Sequence, residues 1–224
     1  MSRAITPSRP AKLTKAQIVQ EYTRRAGGYD FWGRLTESRA QTRCLELANV
    51  RNGEIVLEVA VGTGLTFCRL LQQNPVGWTA GIDLTAAMLQ EAHSKAAAAG
   101  TRRYNLALGD AYALSYAAES FDLLVNTYMF DLLPEADFPH VLGEFWRVLR
   151  PDGRLALINF AVGRRWYQHF WDFLSRRSAT SLAGCRRVSM LAPVQAAGFT
   201  VVQAEFISQN TFPSEVILAV KQKG

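Results

Sequence analysis

The segment from Glu54 to Asp83 places the strongest constraint on what this chain can fold into. It starts with a short apolar run, rich in β-branched residues, that is typical of a strand buried on both faces of a parallel sheet. A turn containing Gly62 and Gly64 follows directly, and without a Cβ the backbone there can turn tightly and let a ligand approach. A helical pattern and a second apolar run then lead to Asp83. This order of elements predicts a βαβ unit.

The charges around the glycine turn indicate which cofactor it can accept. Asp83 lies about 20 residues past the glycines, where a βαβ unit places a carboxylate that binds ribose hydroxyls. A dinucleotide fold would have a third glycine at the position of Phe67, and the Glu58 carboxylate would repel a pyrophosphate. The same carboxylate would attract an amino group. A nucleoside with a cationic amino-acid tail, such as S-adenosylmethionine (SAM), therefore fits better than NAD.

The stretch from Glu58 to Gly64 resembles the first motif of the class I SAM-dependent methyltransferases, in which an acid and a hydrophobic residue precede a glycine-rich turn. The first turn position is usually glycine in that family, and here it is Ala60, which places a methyl group near the methionine part of the cofactor. The resemblance covers roughly residues 45–160. It implies an α/β, doubly wound, Rossmann-like fold with a mainly parallel seven-stranded sheet and a C-terminal antiparallel hairpin.

The resemblance also implies roles for individual residues. Glu58 and the turn would hold the amino-acid end of the cofactor, Asp83 the ribose, and Asp110 with Ala111 the adenine. Core packing is the alternative role for Met88, and a turn or helix cap is the alternative for Asp110. The complete set of cofactor-binding candidates is Tyr29, Glu58, Ala60, Gly62, Gly64, Asp83, Leu84, Met88, Asp110, Ala111 and Asn126.

Segment patterns predict a disordered tail at 1–12 and a single domain at 13–224, which the resemblance implies is a methyltransferase domain. Residues 13–50 are expected to form N-terminal cap helices, the first of them started by a capping box of Thr14 and Gln17. Tyr22 and Tyr29, on these helices, either close over the cofactor or only pack on the sheet. The closing hairpin is predicted from two runs, 199–207 and 215–220, joined by a loop containing Pro213.

A second informative stretch is the aromatic helix predicted at about 163–177, which lies between arginine pairs. It fits a lid over a hydrophobic substrate pocket or a helix at a membrane surface. Residues 1–25 and 164–187 each carry a net charge of +5, whereas the whole chain carries +6. The positive charge is therefore concentrated in these two segments, and this distribution indicates that each contacts an acidic partner. We expect a small-molecule or lipid-like acceptor. No nucleic-acid partner is expected, because the sequence has no recognition module.

Methyl transfer from a sulfonium requires mainly alignment of the acceptor with the methyl group, and some acceptors also need a base. The candidates are Tyr128 and Asp131 at the end of the fourth strand and His169 in the aromatic helix. The histidines and cysteines have no metal-ligand spacing, so no metal is predicted.

These observations predict a SAM-dependent methyltransferase acting on a small or amphiphilic acceptor, most simply a lipid or quinone-like molecule. The chain resembles the ubiquinone/menaquinone C-methyltransferases and the bacterial phospholipid N-methyltransferases. A soluble acceptor such as a natural-product intermediate is the alternative, followed by a non-catalytic SAM-fold binding protein and an NAD oxidoreductase. The three unpaired cysteines and the lack of a long apolar run predict a cytoplasmic protein. Peripheral contact with a membrane surface is compatible with this prediction. The oligomeric state is left open.

Overall fold

The structure of the chain is a computed structural model that describes residues 13–161 and 184–222. Its strands are β1 Ile55–Val59, β2 Trp78–Asp83, β3 Tyr104–Leu108, β4 Phe121–Thr127, β5 Leu149–Phe160, β6 Thr200–Gln209 and β7 Phe212–Val220. Its α-helices are α1 Lys15–Arg25, α2 Tyr29–Thr36, α3 Ser38–Ala48, α4 Leu65–Gln73, α5 Ala86–Ala97, α6 Phe138–Val148 and α7 Leu191–Ala196.

The strands form one sheet in the order β3-β2-β1-β4-β5-β7-β6. The first five strands pair in parallel, whereas β7 is antiparallel to both β5 and β6. The predicted mainly parallel seven-stranded sheet with a closing antiparallel hairpin is therefore confirmed. In such a sheet the strand order reverses beside β1, and ligands bind at the carboxyl ends of the strands at that point.

The hairpin turn does not lie where the sequence placed it. The expectation of a Pro213 loop is wrong, since Pro213 lies within β7 opposite Ser208. The chain reverses at Asn210 and Thr211, which both adopt positive φ angles, of 47° and 69°. Asn accepts this left-handed conformation readily, and a two-residue turn of this kind matches the twist of a hairpin.

The N-terminal region forms three helices. The predicted capping box of α1 is present, because the Thr14 hydroxyl accepts from the Gln17 backbone N–H and the Gln17 side chain accepts from the Thr14 N–H. The remainder of the expected cap region consists of α2 and α3, which are divided at Glu37.

Strand β1 is buried on both faces, as its apolar run predicts. Leu57 and Val59 belong to a cluster that also contains Phe145 of α6, whereas Val56 belongs to a second cluster with Leu45 of α3. The two apolar layers on opposite sides of the sheet explain why the run does not alternate with polar residues.

The glycine turn brings α4 close to α5. Gly64 has a φ angle of 86°, and a Cβ at this position would lie 2.8 Å from the Ala92 Cα atom. The close approach of the two helices therefore depends on glycine both for backbone conformation and for space.

The expected tail at 1–12 and the whole aromatic helix at about 163–177, including His169, lie outside the described residues. No helix within the described ranges is long and apolar enough to cross a membrane.

Replacing Gly64 with alanine should lower the free energy of unfolding by about 1–3 kcal/mol, because it adds backbone strain and a clash with α5. Urea denaturation monitored by circular dichroism measures this change. Gly143→Ala is the matched control: it lies within α6 with open space around its Cα, and alanine should stabilise a helix there by roughly 0.5–1 kcal/mol. Equal effects of the two substitutions would contradict the packing argument.

Candidate active site

A pocket opens at the carboxyl ends of β1, β2 and β4, and it is closed from above by α1 and the start of α3. Its floor is the turn after β1. Ala60 and Gly62 there have φ angles of 61° and 56°, and a Cβ on Gly62 would meet nothing within 4 Å. The bare backbone of Gly62 thus faces open space in which a ligand can lie. Ala60 adopts the same left-handed conformation with a Cβ, at an energetic cost that a glycine would avoid.

Asp83 joins the second strand to the glycine turn. One of its carboxylate oxygens accepts from the Gly62 N–H at 2.8 Å, and the other accepts from the Thr85 N–H at 2.9 Å. Burial raises the pKa of Asp83, and these hydrogen bonds act in the opposite direction. Each oxygen has a further lone pair, so the carboxylate can still accept from two hydroxyls of a ligand.

Glu58 lies behind the turn and does not line the pocket of this structure. Its side chain is fully buried, and neither carboxylate oxygen has a hydrogen-bond partner. Burial raises the pKa of Glu58 well above its usual range, and the charge of Asp83 raises it further. A buried, unpartnered carboxyl is costly unless a donor or a positive charge comes near.

The adenine-side candidates Leu84, Met88, Asp110 and Ala111 all line the pocket. Met88 is also fully buried, so its packing and pocket roles coexist. Asp110 is already engaged: its Oδ2 atom forms a 2.6 Å ion pair with the Lys15 ammonium of α1. A ligand amine would therefore share or displace this contact.

Lys15 illustrates what the sequence reasoning missed. Its ammonium group pairs with Asp110, 95 residues away, and also lies 3.8 Å from the centre of the Tyr112 ring. Ile18 and Tyr22 of the same helix line the pocket as well. Tyr22 is thus brought to the site, whereas the Tyr29 side chain lies outside what the structure describes. No local sequence pattern could have paired α1 with the segment after β3.

Helix α2 is fastened to the glycine turn by Asp30. The Thr63 hydroxyl donates to Asp30 at 2.6 Å, and the Lys95 ammonium forms an ion pair with Asp30 at 2.8 Å. Lys95 also donates to the Thr63 carbonyl at 2.8 Å. Partial burial acts to raise the pKa of Asp30, but the hydrogen bonds from Lys95 and Thr63 outweigh it and hold the pKa below its usual value.

Three candidates lie at or just after the end of β4, namely Asn126, Tyr128 and Asp131, and their surroundings differ. Tyr128 lines the pocket, but its phenol is hydrogen-bonded to the Ser214 hydroxyl at 2.8 Å. Burial and the nearby charge of Glu37 raise the pKa of Tyr128 well above its usual value, so the phenol stays protonated and is a poor base. Asn126 does not line the pocket, and its Nδ2 atom donates to the Val59 carbonyl at 2.8 Å.

Asp131 is not on the pocket wall, contrary to its expected place as a base. It is fully buried, and its two carboxylate oxygens accept from the Phe160 N–H at 2.9 and 3.0 Å. Burial raises the pKa of Asp131 well above its usual value. Its position argues that it holds the end of β5, a structural role. The sequence could not show this, because the acid follows β4 and its partner ends another strand.

SAM fits the residues present. The open face of Gly62 leaves room for the ligand backbone, and Asp83 retains acceptor capacity for ribose hydroxyls. The carboxyl of Glu58 lies beneath the turn without a hydrogen-bond partner, and a cationic amino group close to it would favour its ionised form and be stabilised by it. Among the described residues, no group of side chains could hold a metal ion.

The buried acids predict a pH dependence of stability. A carboxyl whose pKa is raised on folding stabilises the protein fully below its unfolded value and loses that contribution as the pH rises through the folded value. The unfolding free energy of the ligand-free protein should therefore fall as the pH rises above about 4.5, the ordinary pKa of Glu58. Glu58→Gln should reduce this fall, whereas Glu91→Gln, at a half-exposed position on α5, should not. Urea titrations at a series of pH values test this, and identical pH profiles for all three proteins would contradict it.

Comparison with known proteins identifies the family. Residues 56–153 match the model of a methyltransferase domain. A demethylmenaquinone methyltransferase of Deinococcus radiodurans is 34% identical over 174 residues, which cover 70% of each chain. A nocamycin O-methyltransferase of Saccharothrix syringae is 33% identical over 137 residues, covering 61% of this chain and 48% of that protein.

A solved structure has a similar fold. A geranyl diphosphate methyltransferase in complex with GPP and sinefungin superposes with a TM-score of 0.67 at 14% identity, covering 83% of this chain and 78% of the other. The chain spans between 44% and 62% of the length of the first curated relatives that it matches. With the glycine turn and Asp83 in the family's arrangement, the chain belongs to the class I SAM-dependent methyltransferases.

Proposed function

We propose that this protein transfers the methyl group of SAM to a small amphiphilic acceptor that carries an ionisable hydroxyl, as a quinol does. The observation that carries the proposal is the continuity of the pocket. At one end it has the glycine turn, Asp83 and Asp110, and it extends past Tyr128 to a buried carboxyl, Glu37, and an apolar wall.

The cofactor end is built from the turn and the second strand. Asp83 would hold the ribose hydroxyls, Asp110 and Ala111 the adenine, and the backbone around Gly62 the methionine part. The bound sulfonium supplies an already activated methyl group, so the task of the protein is to align the acceptor and exclude water.

The acceptor end is largely apolar. Two layers of side chains contribute to it, one from α1 and one from the segment after β4: Ile18, Tyr22, Met129, Leu132 and Leu133. Such walls favour an aromatic or prenylated molecule over a strongly polar one, because burying apolar surface is favourable by about 25 cal/mol per Å².

The demethylmenaquinone methyltransferase among the relatives supports a quinol-like acceptor, and the ubiquinone/menaquinone C-methyltransferases among them support methylation at carbon. A membrane-borne quinol would also give the arginine-rich segments at 1–25 and 164–187 an anionic surface to contact. The nocamycin O-methyltransferase supports a second candidate, methylation at oxygen of a soluble natural-product intermediate. Both candidates share an acceptor that loses a hydroxyl proton.

Replacing Asp83 with asparagine should weaken SAM binding by about 1–3 kcal/mol, roughly 5- to 150-fold, because a charge-assisted bond to the ribose is lost. Isothermal titration calorimetry measures this change, and thermal melts check that the variant is folded. Asp152→Asn, at an exposed position near the amino end of β5, should leave the affinity unchanged. Undiminished binding by the Asp83 variant would remove this residue from the cofactor site.

Methyl transfer itself should be tested with methyl-labelled SAM and two acceptors, an anaerobically reduced 2-prenyl-1,4-naphthoquinone and 1,4-dihydroxynaphthalene. We expect faster turnover of the prenylated acceptor and a new C–methyl signal in the NMR spectrum of the product. An O–methyl signal would instead support the natural-product candidate. Binding of SAM without transfer to either molecule would contradict the proposed quinol-like acceptor.

A further inference from the structure

Glu37 is the residue at which α2 ends and α3 begins. Its backbone N–H donates to the Gly33 carbonyl at 2.8 Å, and its carbonyl accepts from the Gln41 N–H at 2.9 Å. A residue at such a helix start commonly caps the helix with its side chain, but the Glu37 side chain makes no capping bond. The two helices thus hold the backbone of Glu37, and its carboxyl takes no part in capping α3.

Glu37 lines the pocket although it is almost completely buried. Only 4% of the residue is exposed, and with Gln41, Thr127 and Tyr128 it belongs to the pocket lining. Its hydrogen-bond partner is the Gln41 amide, at a long distance of 3.4 Å. Within the described part of the chain, no cationic side chain lies within salt-bridge distance of it.

Glu37 differs in this respect from the other two carboxyls that line the pocket. Asp83 is bonded to two backbone N–H groups, and Asp110 is paired with Lys15. Burial raises the pKa of Glu37 to about 8, which makes it a group that can both hold and release a proton near neutral pH.

We propose that Glu37 binds the hydroxyl of the methyl acceptor and serves as the general base that removes its proton. This inference rests on the proposed function. The hydroxyl proton passes to the Glu37 carboxylate. The electron pair left on the acceptor then forms the new bond to the methyl carbon. The S–CH₃ bond breaks at the same time, and its electron pair remains on sulfur. For attack through ring carbon, the C–H proton at that carbon then leaves to water and the proton on Glu37 returns to oxygen, so one proton is released per turnover.

The remaining acids near the pocket are less suited to this step. The Tyr128 phenol is hydrogen-bonded to Ser214 and stays protonated, and both Asp131 oxygens are bonded to the end of β5. The charge of Glu37 adds to the effect of burial in raising the pKa of both Tyr128 and Asp131. The other titratable groups on the pocket wall are Lys15, Tyr22, Asp83, Asp110 and Tyr112.

The test compares Glu37→Gln, which keeps the size of the side chain, with Glu46→Gln, an exposed position on the same helix. In the wild type and the control, kcat for the reduced 2-prenyl-naphthoquinone should rise with pH through an apparent pKa. In Glu37→Gln, kcat should fall by about 10²- to 10⁴-fold and lose this rise, while calorimetry should show SAM affinity within twofold of wild type. An unchanged kcat with the same pH profile would overturn the role of Glu37.

A binding measurement separates this inference from the proposed function. With sinefungin present, wild-type protein should bind 1-naphthol more tightly than 1-methoxynaphthalene. In Glu37→Gln this preference should be at least several-fold smaller, because a hydrogen bond to a charged acceptor is about twice as strong as one between neutral groups. Protein that binds sinefungin but shows no hydroxyl preference overturns the Glu37 inference alone. Protein that binds neither SAM nor sinefungin overturns the proposed function and with it the inference.

Discussion

The hydrogen bonds of the Asp83 carboxylate are the interactions on which the glycine-turn end of the pocket depends. The carboxylate accepts from the Gly62 N–H on one side and from the Thr85 N–H on the other. One buried acid thus holds the turn after β1, the end of β2 and the start of α5 in a single arrangement. The bonds use one lone pair of each oxygen, so the group that shapes the turn is also free to accept from a ligand. Burying this carboxylate costs desolvation free energy, and the hydrogen bonds from the backbone N–H groups offset part of that cost.

The helices before the sheet complete the site. Asp30 ties α2 to Thr63 and Lys95, and Lys15 ties α1 to Asp110. These contacts bring Ile18 and Glu37 over the carboxyl ends of the strands, where the sheet alone would leave the pocket open to water. The sheet therefore supplies the end of the pocket with the glycine turn and Asp83, and the N-terminal helices help to form the end where we propose that the acceptor binds.

Buried acids are concentrated around this pocket, and they differ in how they are compensated. Asp83 and Asp131 are bonded to backbone N–H groups, whereas the oxygens of Glu58 lack hydrogen-bond partners. Burial without a partner raises a carboxyl pKa and lowers stability at neutral pH, and a bound cation relieves both effects. A site of this kind gains stability when a positively charged ligand binds, and a sulfonium nucleoside with an amino-acid tail is such a ligand.

The parts of the structure that the sequence predicted are those built from neighbouring residues. The apolar run of β1, the glycine turn and the capping box of Thr14 and Gln17 follow from local patterns, because strand burial, turn conformation and helix capping each depend on a few consecutive residues. The parallel sheet followed from the repetition of such units and from the resemblance to a known family. Pro213 was misplaced because the turn depends on the backbone conformation of Asn210 and Thr211, which the proline pattern concealed.

Only the tertiary structure decided which distant groups meet. The ion pair of Lys15 with Asp110 joins residues 95 positions apart, and Asp131 meets the N–H of Phe160 on a neighbouring strand. Glu37 has no distinguishing neighbours in the sequence, and its chemistry arises from burial against Tyr128 and the pocket. The sequence by itself determined the βαβ unit with its glycine turn and Asp83, since these rest on short-range patterns, and it indicated the whole sheet through the family resemblance. The opposite end of the pocket, around Glu37, was decided by packing between segments far apart in the chain, because burial and charge proximity exist only after those segments come together.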